Sequence, residues 1–146
     1  MTHISLIADC GPTTGLGHLR RLMVLADRLS ARAGVCEFKI TSPEPAVLKL
    51  ISDTGYAGSV LVPETNAGLA SEVIVYDGRG ASAKQLAGWK RGCSCFVVLD
   101  DLADRPLECD IIVNPNIYGG ELDYGAYTVA TVLTGPVYNL VAPAFF

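Results

Sequence analysis

The start of the chain contains the pattern that most limits its possible folds: an apolar segment, a glycine-rich loop and an amphipathic helix in direct succession. Residues 3–8 are apolar almost throughout and predict a strand of a parallel sheet that helices cover on both faces. Pro12 and three glycines mark residues 9–17 as a loop. Apolar residues then recur at three- and four-residue steps from about His18 to Ala33, which predicts a helix ending at Gly34. Such a junction offers free backbone N–H groups and a positive dipole end to an anion.

The rest of the chain repeats this alternation of strands and helices. Predicted strands cover 35–41, 59–62, 72–76, 95–99, 110–113 and 130–133, predicted helices cover 44–53 and 81–90, and 63–68 is a predicted loop. Ser42 is the expected N-cap of the second helix and Pro43 its expected first residue. Residues 117–127 are turn-rich and receive no assignment. The pattern predicts an α/β protein with a Rossmann-like parallel sheet and helices on both faces, and 146 residues fit a single domain, 1–146.

Polar residues collect where the predicted strands end. Asp77 and Arg79 follow the fourth strand, Asp100 and Asp101 follow the fifth, and Asn116 lies just beyond the sixth. Ligands of parallel sheets bind beyond the carboxyl ends of the strands. We therefore expect these residues and the loop 9–17 to converge on one edge of the sheet.

His18 has two interpretations from its position. In the first it is a polar residue of the first helical turn, hydrogen-bonded locally; in the second it is a general base or acid at the ligand edge. The positive end of the helix dipole lowers the pKa of an imidazole, so this position predicts a neutral base.

The polar residues at the strand ends also have more than one possible role. Asp100 and Asp101 form a pair that suits Mg²⁺, but aspartates after a strand more often accept backbone N–H bonds in the following loop, and we favour that role. Asp77 precedes a glycine and is either a turn residue or a ligand contact. Asn114 and Asn116 flank a proline and are expected to build a turn.

Several function classes are excluded. A net charge of -4 without a basic cluster argues against nucleic-acid binding. Gly15 and Gly17 match part of a dinucleotide fingerprint, but Arg20 occupies its third glycine position and no carboxylate follows the second strand. The loop ends Gly17-His18-Leu19, without the lysine of a Walker loop. Neither a nicotinamide cofactor nor nucleoside triphosphate hydrolysis of the Walker type is expected.

The cysteines bear on metal binding, and the apolar segments bear on the cellular location of the protein. Five cysteines and two histidines show no zinc-binding spacing, so we expect reduced thiols, no metal and no cofactor. No apolar run approaches the roughly 20 residues of a membrane span, and the N-terminus does not resemble a signal peptide. We therefore expect a cytoplasmic protein that binds no membrane.

Four blocks of sequence resemble the PseG family. They are Asp9 with G-L-G-H-L-R-R at 15–21, V-V-L-D-D-L-A-D-R at 97–105, C-D-I-I-V-N-P-N at 109–116 and L-T-G-P-V-Y-N-L at 133–140. The blocks follow the order of the family's motifs and span nearly the whole chain.

The resemblance implies a fold and an activity. PseG-like proteins are UDP-sugar hydrolases of the pseudaminic acid pathway and relatives labelled spore-coat polysaccharide proteins, and their architecture is similar to glycosyltransferase-B enzymes such as MurG. It implies that this chain is the N-terminal half of such an enzyme. His18 matches the family's catalytic histidine, the general base that activates water, with Asp9 in support. The residues expected to bind substrate are Gly15, Gly17, Arg21, Asp77, Arg79, Asp100, Asp101 and Asn116.

Two departures keep other functions open. The family has a tyrosine where this chain has Arg79, which leaves a glycosyltransferase as an alternative. The chain also stops where the family's second domain begins, which leaves a non-catalytic sugar-nucleotide-binding or partner module. Residues 141–146 are an apolar tail, for which a second domain, a second chain or a homodimer is the expected partner.

Overall fold

The computed structural model describes residues 1–42, 44–61, 71–126 and 128–142. Pro43 and the predicted loop 63–68 therefore lie outside the described residues. The helices are α1 Gly17–Ser30, α2 Pro45–Asp53 and α3 Ala83–Arg91. The strands are β1 Thr2–Ala8, β2 Gly34–Ile40, β3 Ala57–Val60, β4 Val73–Asp77, β5 Cys95–Leu99, β6 Ile111–Asn114 and β7 Thr131–Thr134.

The seven strands form one sheet in the order β3-β2-β1-β4-β5-β6-β7, and every neighbouring pair is parallel. Strand β1 lies inside the sheet, which agrees with its continuous apolar sequence. The predicted α/β class with a Rossmann-like parallel sheet is confirmed.

Helices pack on both faces of the sheet. On one face, α1 and α2 bury Leu22 and Ile51 against Leu6 and Phe38. On the other face, Trp89 of α3 packs in a second cluster with Tyr76 and Phe96. Burial of these apolar surfaces is the main favourable term in folding.

Two predicted helix ends are wrong. Helix α1 ends at Ser30, because the amides of Arg32 and Ala33 turn back to carbonyls three residues earlier, and Ala33 itself takes a left-handed φ of 68°. Gly34 is therefore not a cap but the first residue of β2. Ser42 does not cap α2 either: its Oγ accepts from the amide of Glu44, and the helix begins at Pro45.

The later strands are connected without α-helices. Within the described residues, β5, β6 and β7 are joined by irregular segments with a short 3₁₀ turn at Gly119–Glu121. Leu107 and Tyr124 of these segments are buried on the same face as α3. The unassigned stretch 117–127 thus supplies the core residue Tyr124.

The end of the described chain lies against α1. Leu140 packs on the first core cluster, and the carbonyl of Val141 accepts from Arg28 at 3.5 Å. Residues 143–146, the rest of the expected apolar tail, lie outside the described residues. No helix of the described ranges is long and apolar enough to cross a membrane.

Candidate functional site at the carboxyl edge of the sheet

The centre of the site is a contact between the first turn of α1 and the end of β4. Nδ1 of His18 lies 2.8 Å from Oδ1 of Asp77, and the Asp77 side chain is fully buried. A carboxylate only accepts hydrogen bonds, so Nδ1 is the donor. This leaves Nε2 of His18 as the nitrogen available to a ligand.

Arg21, one turn further along α1, links two strand ends. Its guanidinium donates to both oxygens of Asp77, each at 2.7 Å, and to both oxygens of Asp101 at 3.1 and 3.2 Å. The fork of donors on an arginine suits this double pairing. His18 and Arg21 share one face of α1 because they are three residues apart, which brings both to the same carboxylate.

Asn116 extends the network to the end of β6. Its Nδ2 donates to Asp101 and to Oδ1 of Asn114, both at 2.8 Å. Oδ1 of Asn114 also accepts from the amide of Asn116, which forms the predicted turn. The network therefore ties α1, β4, β5 and β6 together at one edge of the sheet.

Asp9 holds the loop after β4. Its Oδ2 accepts from the hydroxyl of Tyr76 at 2.7 Å and from the amides of Arg79 and Gly80 at 2.8 and 2.6 Å. No residue of the described ranges donates to its Oδ1, so this is the oxygen that remains for a ligand. Asp9 thus both organises the loop and contributes to the site.

Asp100 follows β5, and its side chain is almost fully buried. Its Oδ2 accepts from the amides of Leu102 and Ala103 and from the hydroxyl of Tyr124. This is the capping role favoured from the sequence. Metal-binding groups of three or more histidine, cysteine or acidic residues are not found within the part of the chain that the structure describes.

The glycine loop closes on itself before α1 begins. The amide of Gly15 donates to the carbonyl of Gly11 at 2.7 Å, and Gly15 has a φ of 75°, which favours glycine. No side chain within the described residues caps α1, and the first helical amide bonded to a preceding carbonyl is that of Arg20. Among the described residues, the amides of α1 before Arg20 therefore have no acceptor, as is usual at a helix N-terminus without a cap.

A cleft of about 430 Å³ opens beside these groups. Its lining includes Asp9, Thr14, His18, Thr41, Arg79 and Trp89. Polar groups on several loops together with an aromatic ring are typical of a small-molecule site. Gly15 and Gly17 do not line this cleft, and Gly17 lies in a second hollow between α1 and residues 140–142.

Arg79 occupies the outer side of the cleft. Its guanidinium donates to both oxygens of Asp104 at 2.7 and 2.8 Å, and its side chain is 43% exposed. Arg105 donates to the carbonyls of Gly78 and Arg79 and so fixes the same loop. The loop after β4 therefore presents a cation whose carboxylate partner is itself exposed.

The ionisation of His18 differs from the sequence prediction. The hydrogen bond to Asp77 raises the pKa of His18 above its ordinary value of 6.5, and this outweighs the burial that lowers it. The predicted lowering by the helix dipole is wrong in direction, because a buried carboxylate in direct contact acts more strongly than a partial charge. The imidazole is a stronger base than an isolated histidine.

Burial and pairing also shift the pKa values of neighbouring groups. Burial lowers the pKa of Arg21, but its bonds to Asp77 and Asp101 outweigh that effect and raise it. Burial raises the pKa of Asp101, yet the contact with Arg21 brings it below its ordinary value. Burial and the nearby Asp9 carboxylate raise the pKa of Tyr76, so this phenol stays a donor. Arg21 and Asp101 therefore stay charged at neutral pH.

The structure thus gathers most of the predicted site residues: His18, Asp9, Arg21, Asp77, Arg79, Asp101 and Asn116. Sequence reasoning missed Tyr76, Thr41 and the role of Trp89 in the cleft. Tyr76 precedes Asp77 at a strand end, which is a usable signal. Thr41 carries no signal in the sequence alone.

Fold and site together define a Rossmann-like α/β domain with a polar cleft at the carboxyl edge of its sheet. Comparison with protein-family models and with curated proteins finds no match to this chain.

Proposed function

We propose that this domain processes nucleotide-activated sugars and that its reaction is hydrolysis of the C–O bond between the sugar and UDP. His18 is the general base. The observation that carries the proposal is the 2.8 Å contact between Nδ1 of His18 and buried Asp77, in a histidine that lines the cleft. The order of the PseG-like motifs supports the choice of substrate.

Nε2 of His18 takes a proton from water, and the water oxygen bonds to the anomeric carbon. The bond from that carbon to the phosphate oxygen breaks, and its electron pair leaves with UDP. Asp77 orients the imidazole and stabilises the imidazolium that forms. A general base in this position raises the reaction rate about 10²–10⁴-fold. Oδ1 of Asp9 is available to a sugar hydroxyl or to the water.

Charge on the diphosphate needs stabilisation as the bond breaks. His18 brings the first turn of α1 to the cleft, where amides without a partner among the described residues and the positive end of the dipole lie nearby, and Arg79 adds a cation at the cleft. Preorganised donors of this kind stabilise developing negative charge. In this proposal the chemistry needs neither a metal nor an organic cofactor.

The test is turnover of a UDP-N-acetylhexosamine in water enriched in ¹⁸O. Hydrolysis at the sugar carbon puts the label in the free sugar, whereas cleavage at phosphorus puts it in the nucleotide. We expect UDP, labelled sugar and a loss of about 10²–10⁴-fold in kcat for His18→Gln. Arg32→Gln, an exposed change away from the cleft, is the matched control. Absence of UDP release by the wild type overturns the hydrolase proposal.

A glycosyltransferase is the second candidate, and Arg79 favours it. A cation stands where PseG-like proteins have a tyrosine, and it lines the cleft beside His18. In that case an acceptor hydroxyl replaces water and His18 deprotonates it. Release of UDP that requires added sugar or lipid acceptor, without ¹⁸O in the product, identifies transfer.

A further inference from the structure

His18 and Arg21 share the buried carboxylate of Asp77. Its Oδ1 accepts from Nδ1 of His18 at 2.8 Å and from Nη2 of Arg21 at 2.7 Å. Its Oδ2 accepts from Nε of Arg21, also at 2.7 Å. The two bonds from the guanidinium fix the plane of the carboxylate, and that plane determines the direction in which the imidazole donates. Arg21 therefore orients His18 through Asp77.

The shared carboxylate also has to balance a permanent cation and a titratable one. A buried carboxylate with His18 as its only partner would stabilise the imidazolium strongly, and a base that stays protonated cannot accept a proton. The guanidinium of Arg21 is charged over the whole range in which an imidazole titrates. Its side chain is only 19% exposed, so water screens it little. The charge of Arg21 opposes protonation and lowers the pKa of His18 against the effect of Asp77.

Asp101 moderates the charge of Arg21. Its two oxygens accept from Nη1 and Nη2 of Arg21 at 3.1 and 3.2 Å, and Oδ1 also accepts from Nδ2 of Asn116. These bonds are longer than those to Asp77, and the Asp101 side chain is 34% exposed. When His18 is protonated, the connected side chains alternate in charge in the order His18, Asp77, Arg21, Asp101.

Other charged groups near His18 lie on the loops after β1 and β4. Asp9 favours the imidazolium, as Asp77 does. Arg79 lines the same cleft, and its guanidinium is paired with Asp104. Among the described residues, only His18 and Arg21 donate to the carboxylate of Asp77. The effect of Arg21 is therefore separable from that of Asp9 and Arg79.

We propose that Arg21 is a positioning residue for His18: through Asp77 it fixes the direction of the imidazole and limits how far the imidazolium is stabilised. Asp101 in turn limits the influence of Arg21. The role of His18 as general base rests on the proposed function, but these charges act on the imidazole whether or not a substrate is bound.

The test is proton NMR titration of His18 in the free protein, for the wild type and variants of this network. Arg21→Gln removes the charge and keeps a side-chain donor, so we expect it to raise the pKa of His18. Arg21→Lys keeps the charge and is expected to leave the pKa of His18 closer to that of the wild type. Asp101→Asn removes the negative charge and keeps an oxygen for Asn116, so we expect it to lower the pKa of His18.

Arg20→Gln is the matched control, because it removes the same charge from an exposed neighbouring position of α1. It is expected to leave the pKa of His18 unchanged. An unchanged or lowered pKa in Arg21→Gln overturns the proposal, and so does an equal shift in Arg21→Lys and Arg21→Gln. If Arg21→Gln does not fold, Asp101→Asn decides: a lowered pKa of His18 supports the proposal, and an unchanged or raised one overturns it.

The pH profile of kcat links this network to the reaction. Where the wild type releases UDP, the acid limb of the profile is expected to move to higher pH in Arg21→Gln, as the pKa of its base does. A limb that stays in place while the pKa of His18 rises overturns the positioning role. Absence of UDP release by the wild type contradicts the proposed hydrolysis instead, and the NMR titration still decides whether Arg21 controls His18.

Discussion

His18 and Asp77 are separated by 59 residues in sequence, yet Nδ1 of the imidazole lies 2.8 Å from a carboxylate oxygen that water does not reach. Strand β4 ends at Asp77 beside β1, and α1 begins above the same edge. The parallel sheet therefore brings together an imidazole on the helix that follows β1 and a carboxylate at the end of the neighbouring strand β4. This pair sets the ionisation of the base and its orientation in the cleft.

The first prediction concerns the pKa of His18. Because Asp77 stabilises the imidazolium, the pKa of His18 lies above 6.5, and Asp77→Asn brings it down towards that value. Proton NMR of the imidazole across pH measures both. The His3→Gln variant assigns the two histidine signals. A pKa of His18 below 6.5 in the wild type would contradict the pairing.

The second prediction is the pH dependence of stability. A group whose pKa is raised by folding contributes stability that is fully present below its unfolded pKa, about 6.5, and is lost as the pH rises through the folded value. The difference in unfolding free energy between wild type and His18→Gln is therefore largest in mildly acidic solution and shrinks at higher pH. Urea denaturation at a series of pH values measures it. A difference that grows with pH would be inconsistent with this account.

The third prediction concerns removal of the buried carboxylate. Asp77→Ala leaves His18 and part of Arg21 without their partner, so we expect a loss of about 3–5 kcal/mol in the free energy of unfolding. Asp104→Ala removes an exposed carboxylate that also binds an arginine, and its effect is expected to be much smaller. Chemical denaturation compares the two variants. Equal losses would show that burial of Asp77 does not matter.

The fourth prediction tests the packing of the loop after β4. A Cβ at Gly78 would press against the carboxylate and Cβ of Asp9, so Gly78→Ala is expected to cost about 1–3 kcal/mol. It also displaces the carboxylate that holds the amides of Arg79 and Gly80. Gly17→Ala, where no atom lies within 4 Å of the added Cβ, is the matched control. Thermal unfolding of the two variants measures the loss of stability. If Gly78→Ala left the stability unchanged, the close contact with Asp9 would be refuted.

The periodicity of apolar residues was sufficient to predict the parallel sheet and the edge of the sheet at which polar residues meet. Alternation of apolar strands with helices determines which residues end up at the carboxyl ends, so Asp77 and Asp101 were placed correctly. Local propensity failed at Gly34 and Ser42, where tertiary contacts decide which residue ends a helix and which begins one.

The pairings within the site could not be predicted in the same way. Arg21 meets Asp101 across 80 residues, and no spacing rule connects them. The direction of the His18 pKa shift was wrong because only the local helix dipole is visible in the sequence, while its buried partner lies on another strand. Trp89 is buried in the core against Tyr76 and also forms part of the cleft wall, a double role that periodicity alone does not reveal.

The most direct test of the central claim is calorimetric titration with UDP and with a UDP-N-acetylhexosamine. It compares the wild type, His18→Gln and the control Arg32→Gln. The account predicts that the wild type and Arg32→Gln bind the nucleotide sugar with the same affinity, and that His18→Gln binds it at least tenfold more weakly. Equal binding by all three proteins, or no binding by the wild type, would contradict the assignment of the His18 cleft as the nucleotide-sugar site.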